Sequence, residues 1–125
     1  MVQIVIMVIG MRLITFSLFG DNPLYCQGAV ENANIARVIY PEWTARFYVA
    51  QDVPEHYIEE IEGYGAEVVR CEKKNSYDGL NWRFRPLNES DVEYWISRDA
   101  DSRLSWRERN AVDEWMESDK SAHLL

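Results

Sequence analysis

The sequence predicts an α/β fold, a sandwich built on a largely parallel sheet. Three observations predict it. Apolar runs of strand length (LITFSLF, ARFYVA, AEVVRC, DVEYWIS) alternate with segments whose apolar residues recur every three or four positions. The second of these runs is apolar enough to be covered on both faces, as strands of a parallel sheet are. At 125 residues, 47% of them hydrophobic, the chain has the size of one domain and the composition to build a core, which excludes a disordered protein.

Leu13 to Phe19 is the first strand. GDNPLY breaks it, with Asn22 suited to cap a helix and Pro23 to occupy its first position. Cys26, Ala29, Val30, Ala33 and Ala36 mark the buried stripe of that helix, and Pro41 ends it. Residues 45–50 are the second strand. Asp52 and Glu55 then form a capping-box pattern around Pro54. Tyr57, Ile58 and Ile61 give the second helix its inner face, and Gly63 and Gly65 terminate it. Residues 66–71 are the third strand; the polar EKKNSYDG leads to a helical turn or two in LNWRFRPL, stopping at Pro86. The fourth strand lies in DVEYWIS, and Ser105 with Glu108 caps a last helix whose core side carries Ala111, Val112, Trp115 and Met116. SAHLL, at 121–125, reads as the start of a fifth strand, so a continuation beyond it is expected.

The apolar N-terminus has no basic leader or small-residue cleavage site, and Arg12 interrupts it. A core strand preceded by an extension at residues 1–10 is expected, with Met11 as a natural start and no stable membrane insertion; a signal anchor is the competing reading. Cys26 and Cys71 have no metal-ligand spacing and are too few for a disulfide scaffold, so a reduced, cytoplasmic compartment is expected. A net charge of −8 argues against nucleic-acid binding. The window from Arg83 to Arg109 is neutral, however, with six arginines against six acids. A small anionic ligand is best tolerated there.

Within that window RDADSR places Asp99 and Asp101 at the end of the fourth strand, between Arg98 and Arg103. In extended chain these two carboxylates face one way, roughly 6.5–7 Å apart, and present hard oxygen donors suited to Mg²⁺ or Mn²⁺. Ligands of open α/β sheets collect at the carboxyl ends of the strands, where this pair lies. An EF-hand is excluded, since Leu104 stands where its glycine and Asn110 where its glutamate belong. The duller alternative is a pair of solvated loop acids, with Arg98 and Arg103 each pairing locally with an acid; the functional one has one of those arginines clamping a diphosphate.

SRDADSRLSWRERNAVDEW (97–115) and DNPLYCQGAVENANIARVIYPEWTARFYVA (21–50) together resemble small nucleotide-sugar glycosyltransferases of the GT-A fold, which occur in bacteria and large DNA viruses. The resemblance covers residues 11–125, and their motif combination is far more specific than the DxD alone. It implies a Rossmann-like αβα sandwich spanning 11–125, incomplete at its C-terminus, that binds a nucleoside diphosphate sugar, UDP first, together with Mn²⁺ or Mg²⁺. It implies Asp101 as the first metal ligand and Asp99 as a ligand of metal, ribose or sugar. The loop Ser17, Leu18, Phe19, Gly20 to Asn22 would lie against the nucleoside, with Arg83 and Arg98 towards the donor. Arg83 has a competing role stacked on Trp82 or Trp106, and Trp82 and Phe84 are expected in the core. A glycan or other hydroxyl acceptor completes the expected reaction, in the host cytoplasm if the protein is viral. No general base is identifiable, and His123 reads as a strand histidine near the terminus. Two other functions stay open: a non-catalytic nucleotide-binding remnant or half-domain, completed by another chain or by homo-oligomerisation, and a nucleotidyltransferase. The last ordinarily wants a Gly-rich basic loop after strand one, where this chain has a lone Gly20 and no Lys or Arg.

Overall fold

The computed structural model describes residues 10–72, 81–89 and 91–118. Most of the expected N-terminal extension, residues 73–80, and the expected fifth strand with His123 lie outside the described residues. The elements run β1 (Met11–Leu18), α1 (Pro23–Ile39), β2 (Thr44–Ala50), α2 (Glu55–Gly63), β3 (Glu67–Cys71), a 3-10 helix η1 (Trp82–Asn88), β4 (Val92–Ser97) and α3 (Trp106–Glu117). Among the described residues the strands form one open, all-parallel sheet in the order β3-β2-β1-β4. Each strand is joined to the next through a helix, as parallel pairing requires.

Strand alternation sorts the sheet into two faces. Ile14, Phe16 and Leu18 of β1 and Ala45, Phe47 and Val49 of β2 share one core with the apolar stripes of α1, α2 and α3. Phe16 and Phe47, paired in register, stack with ring centroids 4.5 Å apart. The predicted stripe of α1 is buried from Cys26 to Ala36, together with Gly28 and Asn32, which hydrophobic spacing did not mark. In α3 only Val112 is fully buried, and Trp115 and Met116 pack partly against the same core.

The opposite face carries Tyr48, Ala50, Cys71 and Trp82. Among the described residues its cover is η1, while the three α-helices all lie on the first face, so the layers of the expected sandwich are unequal. Pro86 falls inside η1 rather than ending it: the 3-10 pattern tolerates it, and the run closes when the Glu89 N–H bonds the Pro86 carbonyl at 3.0 Å. β2 is covered on both faces as expected, residues 45–50 being buried throughout. Arg46 is buried, and it is kept there by Glu67 at 3.1 Å and Glu89 at 3.0 Å.

Two of the three caps form as predicted. Asn22 accepts from the Leu24 N–H at 3.0 Å, and Ser105 from the Glu108 N–H at 3.3 Å. The third does not. Pro54 is the N-cap of α2 and makes no side-chain cap, because Asp52 accepts instead from the Gly20 N–H at 2.7 Å. Asp52 thereby ties the β2–α2 turn to the loop after β1, where Gly20 has a φ of +80°. Among the described residues no helix is long and apolar enough to cross a membrane.

Candidate functional site

β1 and β4 lie side by side and parallel, although β2 and β3 were added on the other side of β1. The direction in which strands are laid down therefore reverses between them. Helical connections diverge at such a point, and a crevice opens at the carboxyl ends of the two strands. A cavity of about 360 Å³ occupies this place. Ser17, Leu18 and Phe19 at the end of β1 form one wall, and Asp99, Ala100 and Asp101 beyond β4 form the other. Arg83 from η1 and Tyr25 from the first turn of α1 complete the lining.

The two aspartates reach the cavity differently from the expectation. β4 ends at Ser97, so residues 99–102 are not extended; they turn, with the Ser102 N–H bonding the Asp99 carbonyl at 3.3 Å. The turn buries Ala100 in the core and leaves Asp99 and Asp101 exposed on either side of it. A small residue between the carboxylates is needed for a reason missed at the level of sequence: it packs inward.

What holds the turn is α1. Asn32 is fully buried, and its amide nitrogen donates to the carbonyls of Ala100 at 3.3 Å and Ser102 at 2.8 Å. Its oxygen accepts from the Leu104 N–H at 3.0 Å. One turn earlier, a Cβ on Gly28 would come within 2.4 Å of the Ala100 carbonyl oxygen and 2.7 Å of Arg103 Nη1. Helix and turn thus touch backbone to backbone, through a residue with no side chain and one whose amide satisfies three main-chain groups, two of them wholly buried. Neither residue was singled out from sequence. The signal that could have found them is a glycine and an asparagine on the buried side of a helix, where both are costly without a packing reason.

The arginines divide. Arg98 pairs with Glu108 of α3 and does not line the cavity, and Arg103 pairs with Glu31 and donates to the Asp101 carbonyl at 3.3 Å. Among the described residues each is taken up by an acid other than Asp99 or Asp101, and the acid that holds Arg103 lies 72 residues away in sequence. Arg83 alone of these arginines enters the cavity, where its guanidinium pairs with Asp99 and bonds the Arg98 carbonyl at 3.4 Å. It lies over the Phe84 ring rather than on Trp82 or Trp106. Trp82 is core, as expected, but Phe84 is exposed and meets Trp95 edge to face. Gly20 and Asn22 do not line the cavity; they shape the loop through the Asp52 bond and the α1 cap. Cys26 lies under this loop. Burial, helped by Asp21 and Asp52, pushes its thiol above the ordinary range, as befits a packed side chain rather than a nucleophile.

The donor set suits a small hard cation only in part. Among the described residues Asp101 makes no ion pair, whereas Asp99 is engaged by Arg83. Among the described residues no third Asp, Glu, His or Cys gathers with them into a full cage. Mg²⁺ and Mn²⁺ do not need one, since they keep several waters and phosphate oxygens as ligands. Arg83 adds a feature of its own: its Nε is buried and has no hydrogen-bond partner among the described residues. A guanidinium with an unused donor beside two carboxylates fits an anion bound through a cation.

No protein-family model and no curated protein matches this chain. Its function is therefore argued from the site.

Proposed function

We propose that this chain is the donor-binding part of a metal-dependent glycosyltransferase of the GT-A kind, taking a nucleoside diphosphate sugar, UDP first. The observation that carries the reading is the cavity at the β1–β4 switch point, with Asp99, Asp101 and Arg83 converging on it. Asp101, with Asp99, would hold Mn²⁺ or Mg²⁺, and the cation would neutralise charge on the leaving diphosphate. The chain's own groups do the rest. Arg83 offers a positive charge to the same diphosphate. The backbone at Ser17 to Phe19 forms a wall along which a nucleoside can lie, with the exposed Tyr25 ring at its rim. Asn32 and Gly28 hold the aspartate turn so that its carboxylates are placed before the ligand arrives.

A second reading has one observation in its favour. Among the described residues Asp99 and Asp101 are the acidic side chains that line the cavity, and both serve metal or donor, so none of these is left to deprotonate an acceptor hydroxyl. A non-catalytic nucleotide-binding domain fits this equally well. A nucleotidyltransferase fits less well, because the β1 wall of the cavity contributes no cationic side chain.

Calorimetric titration with UDP-sugars, with and without Mn²⁺, tests the proposal. Binding that needs the metal and disappears in Asp101→Asn supports it. Release of UDP on adding a hydroxyl acceptor then separates enzyme from binding domain. Tighter metal-dependent binding of ATP or CTP than of UDP would select the nucleotidyltransferase instead.

A further inference from the structure

We propose that Arg83 is a latch on Asp99, which a diphosphate must draw aside before a divalent cation can use both aspartates. The inference rests on the reading of this cavity as a metal and nucleotide site, and it adds the order in which the two ligands enter.

The latch has a fixed base and a loosely held tip. At the base, the Arg83 N–H donates to Ser17 Oγ at 2.9 Å, and its carbonyl accepts from Thr15 Oγ1 at 2.6 Å. Thr15 is itself fully buried and accepts from Trp95 Nε1 at 2.8 Å. The main chain of Arg83 is thus bonded to the centre of the sheet. Among the described residues its side chain is hydrogen-bonded at Nη1 alone, by the Asp99 carboxylate and the Arg98 carbonyl at 3.4 Å, and rests over the Phe84 ring. The Asp99 side chain is 63% exposed and that of Arg83 26%, so the pair is open to water on its carboxylate side, which limits what it contributes.

Two consequences follow for a ligand. While Arg83 rests on Asp99, a cation arriving alone meets one open carboxylate, Asp101, and one already neutralised by a positive charge that repels it. A diphosphate changes this balance. Its oxygens offer the guanidinium a bidentate acceptor, including one for the Nε that now has none, and leaving Asp99 for the phosphate restores the second carboxylate to the metal. Nucleotide and metal would then bind with a coupling that passes through one side chain, beyond their direct contact with each other.

The test is manganese binding followed by the spectroscopic signal of the free ion, with and without UDP, on native protein and two variants. Arg83→Gln should bind Mn²⁺ alone about five- to tenfold more tightly than native, the scale of an exposed ion pair together with one repelling charge. The tightening that UDP confers on Mn²⁺ should shrink by the same factor. Arg83→Lys keeps the charge and should bind Mn²⁺ alone within about threefold of native, less than the effect of a full exposed pair. If Arg83→Gln does not fold, Arg83→Met, uncharged and of similar reach, replaces it. Unchanged or weaker Mn²⁺ binding in the uncharged variant overturns the latch, as does equal tightening in the lysine variant, which would trace the effect to packing. Should native protein still bind Mn²⁺ with UDP through Asp101 in that case, the site reading survives the loss of the latch. Absence of Mn²⁺ binding in every form, with UDP present, removes both.

Discussion

Asn32→Ala asks whether the aspartate turn is positioned by α1 or merely lies beside it. The substitution removes three hydrogen bonds, from Asn32 to the carbonyls of Ala100 and Ser102 and from the Leu104 N–H. The bonds to Ala100 and Leu104 are wholly buried, and the one to Ser102 partly so. A buried main-chain group left without a partner costs about 1–3 kcal/mol, and a part-buried one that water can reach costs about 1 kcal/mol or less. The sum is about 2–7 kcal/mol, and its lower half applies if a water enters the space left by the amide. Domains of this size have about 5–15 kcal/mol in all, so the variant should remain folded but be markedly weakened. Urea unfolding measures this directly: with a slope of about 1–3 kcal/mol per molar, a loss of 3 kcal/mol lowers the midpoint by about 1–3 M. Asn32→Asp, of the same shape, should be no better, because its carboxylate would face two carbonyl oxygens. A midpoint within about 0.3 M of native for Asn32→Ala, at unchanged slope, would show that solvent or neighbouring groups satisfy the turn, and the claim that α1 places the carboxylates would fail.

Gly28→Ala should lower stability by about 1–2 kcal/mol even though alanine favours helix, because the new methyl meets the Ala100 carbonyl at 2.4 Å and the main chain must move. A gain in thermal midpoint would show that α1 and the turn have room between them. Glu42→Gln tests the charge at the end of α1. Burial, the largest single influence, raises the pKa of Glu42, but the hydrogen bond from Arg109, a backbone hydrogen bond and the charges of Arg109 and Arg12 together outweigh it and hold the carboxyl below its ordinary 4.5. A depressed folded pKa gives stability that is present above pH 4.5 and lost as pH falls through the folded value. The native protein should therefore exceed Glu42→Gln in stability at pH 7 and lose that margin below pH 4.5; a margin independent of pH refutes the ion pair. Both thiols are buried, and burial raises both pKa values, so Cys26 and Cys71 should react with a disulfide reagent at pH 8 far more slowly in native protein than in urea. Equal rates in the two conditions would contradict the packing of β3 against η1 and of α1 under the β1 loop.

The course of the chain was legible because it depends on local pattern. Apolar runs without alternation gave strands whose neighbours cover them, and Asn22–Pro23 and Ser105–Glu108 marked helix starts that need nothing from elsewhere in the chain. The Asp52 pattern misled for the opposite reason. Its carboxylate had a choice between the helix beginning at Glu55 and the Gly20 N–H, and that competitor is 32 residues away in sequence. Arg46 was invisible for the same cause, since the acids that make its burial tolerable stand on β3 and beside η1.

The aspartates show where the boundary falls. Sequence alone placed two carboxylates at a strand end, and with them a plausible appetite for a hard cation, because carboxylate chemistry and strand position are both readable along one chain. It could not say that they lie on a turn, that Arg98 and Arg103 face away while Arg83 faces in, or that Gly28 and Asn32 hold the arrangement. Those facts depend on which strand lies next to which. Pairing β4 with β1 brings residues 68 to 72 positions apart into hydrogen-bond contact, and only the packed sheet decides that.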